Sequence, residues 1–359
     1  MPLLSRVLLS PLVIDVRAGA VDDLGSVLSD RRISANGRVA VAVGPGLGEE
    51  VLRLVKPSLR NADFFKIRGG SLLSAAQLQQ EMRAGSSSYD ALVGIGGGRT
   101  LDVTKYTATH LALPMVSVAT SLAHDGIASP IASLDHEAGR GSFGVTMPIA
   151  VIVDLNYVRR SPRRMVASGI GDVLSNLSAI EDWLLANRER GEPVDGLAIA
   201  MARTAAEAVL GRSDTVESDQ FLTVLAEALV LSGLAMAAAG SSRPCSGSDH
   251  EILHAIDALF PDVSNHGELA GVGALFAFAL RGDWSRVSEL DRCFTQHGLP
   301  RLPSELGLTD DQFALAVHAA PSTRPDRYTI LEHLDLDEAG VGHEVRSYVK
   351  SINALSSAH

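Results

Sequence analysis

Up to about residue 157 the apolar residues come in short, β-branched runs; beyond it they come in long Ala- and Leu-rich segments. In the first part, "RVAVAVG" (38–44), "ALVGIGGG" (91–98), "PMVSVAT" (114–120) and "IAVIVDL" (149–155) read as buried strands. Amphipathic stretches stand between them, "GEEVLRLVKPSL" after the first and "RTLDVTKYTATHL" after the second. Strands alternating with helices predict a parallel sheet with helices on both faces. In the second part the helical period predicts helices near 163–187, 194–211, 215–239, 249–259, 267–281, 309–319 and 336–354. The pattern therefore predicts an α/β domain over residues 1–157 and an all-helical domain over 158–359.

One segment, Phe221 to Gly240, is apolar enough to resemble a membrane span. It carries Glu227 and lacks basic flanks and an aromatic belt, and a carboxylate in mid-bilayer is costly, so it reads as the central helix of a bundle without membrane insertion. The opening "MPLLSRVLLSPLVIDVRAG" lacks the ordered charged, apolar and small-residue regions of a secretory signal. A formal net charge of -11 argues against nucleic acid as a partner, because phosphate backbones need a basic face. The two cysteines, Cys245 and Cys293, form no CxxC and no disulfide framework, and a reducing cytoplasmic setting is expected. The basic run "RRSPRR" (159–164) reads as a solvated helix start.

Two places hold chemistry. In "VGIGGGRTLD", Gly94, Gly96, Gly97 and Gly98 follow a strand and precede a helix. Glycines there let a backbone approach a pyrophosphate, and the helix N-terminus offers N–H groups to it. The pattern is not GxGxxG, and a plain tight turn explains it equally well; Asp102 and Lys105 then read as surface charges. The second place is "GSDHEILHAIDALFPDVSNHGE" (247–268), with His250, His254 and His266 among only eleven histidines in the chain. His250 and His254 share a helix face, and His266 opens the next helix after a short loop. Asp172, on an otherwise apolar helix and preceded by Gly169 and Gly171, could complete a Zn²⁺ or Fe²⁺ site with them. Capping and surface roles for these histidines stay open on spacing alone. Asp249 either neighbours the site or is a first-turn acid favoured by the helix dipole.

In order, "GIGGGRTLDVTKY" (94–106), "PMVSVATSLAHDGIASPIASL" (114–134), "IAVIVDL" (149–155), "GIGDVLSNLSAIEDW" (169–183), "RPCSGSDHEILHAIDAL" (243–259) and "NHGELAGVG" (265–273) resemble the sn-glycerol-1-phosphate dehydrogenase family. That family lies within the iron/zinc-dependent polyol dehydrogenase and dehydroquinate-synthase-like superfamily. "HDGIASP" and "SGSDH…H…HGE" are its specific marks, whereas the glycine turn is shared superfamily-wide. Here Arg99 stands where the family usually has lysine, Ala119 precedes Thr120 where proline is frequent, and the SEH motif reads "SDH".

The resemblance implies a Rossmann-like nucleotide-binding domain, a helical C-terminal domain and an active site in the cleft between them. It implies that Asp172, His250 and His266 hold one divalent metal, Zn²⁺ first, with Fe²⁺ or Ni²⁺ as alternatives. His254 would then relay protons. The NAD(H) or NADP(H) pyrophosphate would lie on Gly96, Gly97 and Gly98, with Asp102 fixing the loop. Thr120 and Ser121 would line the nicotinamide side, Asp125 would face substrate and nicotinamide ribose, and Ser129 would lie close by. Arg243 is a candidate for the phosphate of a small phosphorylated substrate, with a helix-end arginine as its plain alternative. The implied reaction is reduction of dihydroxyacetone phosphate to sn-glycerol 1-phosphate, and the reverse. Another polyol or secondary-metabolite alcohol dehydrogenase of the superfamily, or a dehydroquinate-synthase-like lyase, are the alternatives. Whether the chain forms a homo-oligomer is left open.

Overall fold

The computed structural model describes residues 10–85, 88–137 and 139–356; the first nine residues of the opening run, read above for a signal, lie outside them. The chain divides into two compact units, residues 1–161 with 233–241, and residues 162–232 with 242–359.

The first unit is α/β. In chain order it contains β1 (Val13–Arg17), α1 (Leu24–Leu28), β2 (Val39–Val43), α2 (Leu47–Val55), β3 (Ala62–Lys66), α3 (Leu72–Ala84), β4 (Ala91–Gly96) and α4 (Gly98–His110). There follow β5 (Met115–Ala119), the antiparallel pair β6 (Ile131–His136) and β7 (Gly139–Gly144), β8 (Ala150–Asp154) and α5 (Leu155–Val158). Six strands form a sheet in the order β1-β8-β5-β4-β2-β3, every pair parallel. The four inner strands are buried along their whole length, which is why they read as unbroken apolar runs. The outer strands β1 and β3 are only partly buried and were not predicted; nor was the β6–β7 pair.

This order fixes where a ligand can sit. From β2 the chain goes to β3 on one side, and from β4 it goes to β5 on the other. The connections diverge between β2 and β4, so a crevice opens at the carboxyl ends of those strands. Gly44-Pro45-Gly46 follows β2 there, and Gly97-Gly98 follows β4.

The second unit is helical. It contains α6 (Arg163–Arg190), α7 (Gly196–Leu210), most of α8 (Asp219–Ala239), α9 (Ser248–Leu259), α10 (His266–Leu280), α11 (Trp284–His297), α12 (Pro303–Leu306), α13 (Asp310–Ala319), α14 (Ile330–Leu334) and α15 (Glu338–Ser356). By length and composition α8 could cross a membrane, but 67% of its most apolar window is buried within the protein, with Glu227 on its exposed side. Helix α11 was not predicted. Its buried positions Val287, Leu290, Phe294 and His297 have helical spacing, but polar residues separate them and dilute the apolar signal.

Candidate functional site

Asp172, His250 and His266 each offer a ligand atom, and these three atoms lie within 4.8 Å of one another. His266 Nε2 is 3.5 Å and His250 Nε2 is 3.9 Å from Asp172 Oδ1. Ligand atoms about 2.1 Å from a tetrahedral ion stand roughly 3.4 Å apart, so the cluster has nearly the spacing that such an ion imposes. Asp249 Oδ1 lies 2.5 Å from His250 Nδ1. That bond places the ring proton on Nδ1 and turns the Nε2 lone pair toward Asp172, the arrangement that supports metal-ligating histidines. Asp249 is fully buried, and its Oδ2 has no hydrogen-bond partner among the described residues. Two buried carboxylates beside two imidazoles make a donor set that a divalent cation neutralises. The donor set therefore fits a metal ion.

The three candidate ligands come from three helices, and the sequence contains the means of joining them. Asp172 lies on α6, His250 in the first turn of α9 and His266 at the start of α10. Helices α6 and α10 meet backbone to backbone: a Cβ on Gly267 would overlap the Ser168 carbonyl and stand 2.9 Å from Asp172 N, and one on Gly171 would overlap the Gly267 carbonyl. Gly267 N–H donates to Ser168 Oγ at 3.0 Å, and Arg164 Nε donates to Glu268 Oε1 at 2.6 Å. Glu268 also closes a capping box with Asn265, which fixes the first turn of α10. Helix α9 is anchored by Asp182, whose Oδ2 accepts from Ser248 N and Oγ, both at 2.7 Å. Asp182 and Asp172 lie on the same helix, so α6 carries one candidate ligand and orients another.

His254 stands apart from the three, with its ring centre 6.4 Å from that of His250. Arg324 Nη2 lies 2.8 Å from its Nε2. A guanidinium only donates, so Nε2 accepts and the proton of the neutral ring sits on Nδ1. Arg327 lies beside it, donating to Ser242 Oγ at 2.6 Å and to the Ser246 carbonyl. Burial lowers the pKa of Arg324. Burial, then the cations of Arg324 and Arg243, push that of Arg327 down to about 9, so it remains charged at pH 7. Neither arginine stood out in the sequence, because residues 320–329 have no helical period and no motif. Arg243 is engaged differently: it is 5% exposed, pairs through Nε and Nη2 with Glu192, and donates to the Tyr328 carbonyl at 3.1 Å.

In the first unit, α4 starts at the glycine turn, and its N-cap Gly97 makes no side-chain capping bond. An anion can therefore meet the helix N-terminus directly. Thr120 N–H donates to the Gly96 carbonyl at 3.0 Å, and Ser121 Oγ would lie 3.2 Å from a Cβ on Gly97, so both residues flank the turn. The His124 ring packs on Gly98 so closely that a Cβ there would overlap it. Gly126 N–H donates to His124 Nδ1 at 3.0 Å, which leaves the ring proton on Nε2 against the turn. His124 was not singled out in the sequence, although it opens the "HDG" triplet. Asp125 begins a short 3-10 turn, and its carbonyl accepts from Ala128 and Ser129 N–H, both at 2.9 Å. Asp102 and Ser129 are 3% and 1% exposed. Lys105 Nζ lies 3.0 Å from Asp102 Oδ1, off the hydrogen-bond direction, and donates to the Ser129 carbonyl at 3.3 Å and to the Ile131 carbonyl. This buried chain ties α4 to the segment before β6.

The family model described as iron-containing alcohol dehydrogenase matches residues 15–162. The chain is 37% identical over 327 residues to glycerol-1-phosphate dehydrogenase (NAD(P)+) of Hyperthermus butylicus, covering 89% of this chain and 92% of that one. It is 38% identical over 337 residues to the protein of the same name from Thermofilum pendens, covering 91% and 94%. Among solved structures, a probable glycerol dehydrogenase from Sinorhizobium meliloti superposes with a TM-score of 0.79 at 21% identity, over 98% of this chain and 99% of that one, a likeness of fold. With identity at this level sustained over most of its length, the chain belongs to the glycerol-1-phosphate dehydrogenase family, among the iron-containing alcohol dehydrogenases.

Proposed function

We propose that this protein reduces dihydroxyacetone phosphate to sn-glycerol 1-phosphate, and catalyses the reverse reaction, with NAD(P)H and one divalent metal. The observation that carries the reading is the buried Asp172–His250–His266 cluster in a member of this family. When bound, the metal would supply Lewis-acid polarisation of the ketone oxygen and the nicotinamide would supply the hydride. Two imidazoles and one carboxylate suit Zn²⁺, with Fe²⁺ or Ni²⁺ as alternatives that elemental analysis distinguishes.

The residues of the chain position and protonate. Asp249 keeps the His250 lone pair directed inward. His254 lines the proton path: its Nδ1–H orients a water that passes its own proton to the oxygen that becomes the alcohol, and bulk solvent restores the proton of that water. Asp125 faces the substrate and nicotinamide ribose, and Thr120 and Ser121 line the nicotinamide side. Gly96, Gly97 and Gly98 receive the pyrophosphate at the start of α4, with the His124 Nε2 proton beside them. Asp102 and Ser129 support this turn through Lys105 from below.

Two measurements test the reading. Dihydroxyacetone phosphate should be reduced far better than dihydroxyacetone; equal kcat/KM for the two ketones would favour a general polyol dehydrogenase instead. The second concerns the cofactor. In dinucleotide folds an acid at the end of a neighbouring strand binds the adenosine ribose and repels a 2′-phosphate. Strand β2 ends in Gly44-Pro45-Gly46, without a carboxylate. NADPH and NADH should therefore be used within about tenfold of each other, roughly 1.4 kcal/mol. A thousandfold preference for NADH would show that an acid from elsewhere reaches the ribose.

A further inference from the structure

We propose that Arg324 and Arg327 together receive the phosphate group of the substrate, a role the sequence suggested for Arg243. This rests on the reading that the substrate is a phosphorylated ketone and names the side chains that would recognise it.

Three observations carry it. First, both guanidiniums lack a carboxylate partner. Among the described residues no Asp or Glu oxygen lies within 4.0 Å of either, whereas Arg243 beside them is paired with Glu192. Two carboxylates have fields that reach the pair, but neither touches a guanidinium: Asp249 Oδ1 accepts from His250, and Glu251 Oε2 accepts from Thr329 at 3.0 Å. Two neighbouring cations, largely shielded from water and partnered only by neutral groups, repel each other. An anion bridging them relieves that repulsion, and a phosphate dianion matches the planar forks of two guanidiniums. Second, the pair is held in place before any ligand arrives. Ser242 Oγ accepts from Arg327 Nη2 at 2.6 Å and lies 3.4 Å from Arg324 Nη1, so one hydroxyl joins both side chains. Third, the pair adjoins the metal cluster through one residue. Arg324 touches His254, and His254 neighbours His250. In dihydroxyacetone phosphate one methylene and one ester oxygen separate the ketone carbon from phosphorus, so a substrate whose oxygen lies at the metal cluster has its phosphate close by.

The same contact gives Arg324 a second effect. By occupying His254 Nε2 it fixes the tautomer with hydrogen on Nδ1, so phosphate recognition and the orientation of His254 share one hydrogen bond.

The test uses the full-length, metal-loaded protein and its Arg324→Gln and Arg327→Gln variants. Each variant should lose about 10²-fold in kcat/KM for dihydroxyacetone phosphate, as expected when one member of a desolvated charge pair is removed. Turnover of dihydroxyacetone should change by less than about threefold for Arg327→Gln, with metal content intact. Inorganic phosphate should compete with dihydroxyacetone phosphate in the wild type and about tenfold less well in both variants. Arg324→Lys and Arg327→Lys should recover part of the loss. Equal losses on both ketones in Arg327→Gln, or unchanged phosphate competition, would overturn the assignment. Should either variant fold poorly, the wild type decides: inorganic phosphate should slow modification of Arg324 and Arg327 by phenylglyoxal, read by peptide mass mapping. Unslowed modification contradicts the proposal. If the wild type does not discriminate between the ketones, the substrate reading fails. The arginine pair is then judged on phosphate protection alone, which supports it when present and refutes it when absent.

Discussion

His250→Ala, His266→Ala and Asp172→Ala should each purify nearly free of metal and nearly inactive. A catalytic site with three protein ligands has none to spare, so loss of any one removes the ion as well as the rate. Supporting residues that touch a ligand typically cost about 10–100-fold in metal affinity, and losing a ligand itself should exceed that. His254→Ala should behave differently in kind. Its ring lies outside the cluster, and its Nε2 is taken by Arg324, so most of the metal should remain. Activity should fall by about 10²–10⁴-fold, as for a displaced general acid–base group, or by less where water substitutes. Metal stoichiometry measured beside kcat for all four variants separates the roles. A metal-replete, active His250→Ala or His266→Ala would remove the basis of the site. Loss of metal in His254→Ala alone would make His254 the ligand of that helix.

The second large effect should come from a methyl group. Gly267→Ala places a Cβ inside the contact of the Ser168 carbonyl, and Gly171→Ala places one against the Gly267 carbonyl. Both obstacles are backbone atoms of packed helices, which cannot rotate aside as a side chain can. Overpacking costs about 1–3 kcal/mol, and more where the neighbour is rigid. A cost of about 3 kcal/mol in a unit of this size should lower Tm by roughly 6–12 °C. The same displacement separates Asp172 from His266, so metal affinity should fall although no ligand has changed. Gly196→Ala is the control: nothing lies within 4 Å of a Cβ there, and the unfolded chain loses freedom, so stability should hold or rise slightly. Full metal occupancy and an unchanged Tm in Gly267→Ala would show that the two helices do not meet as described.

The features that could be read from the sequence are those in which burial and periodicity coincide. Strands β2, β4, β5 and β8 lie inside the sheet and consist of apolar residues on both faces, so composition alone reveals them. Strands β1 and β3 form its edges, and "ADFFK" and "VIDVR" carry charges that an edge tolerates. The long helices were visible by period, whereas α11 keeps its apolar stripe within a mostly polar segment. In the site, the histidines and Asp172 stood out because polar groups on apolar helices need a reason. Gly171 stands just before Asp172 in the sequence, but its partner Gly267, about a hundred residues later, emerges only from the packing of α6 on α10. Arg324 and Arg327 were invisible because their meaning depends on the lack of a nearby carboxylate, and no local pattern records an absence. Arg243 attracted attention by its position beside a motif, but Glu192 pairs with it.

Metal-dependent, stereospecific reduction of one phosphorylated ketone has a direct readout. It is tested most directly by incubating the metal-loaded protein with NADH and dihydroxyacetone phosphate and determining the configuration of the glycerol phosphate formed. The product should be sn-glycerol 1-phosphate in amounts equal to the NADH consumed, with turnover abolished by chelation and restored by Zn²⁺, Fe²⁺ or Ni²⁺. Formation of sn-glycerol 3-phosphate, undiminished turnover after the metal has been removed, or no net NADH consumption by the loaded protein would contradict it.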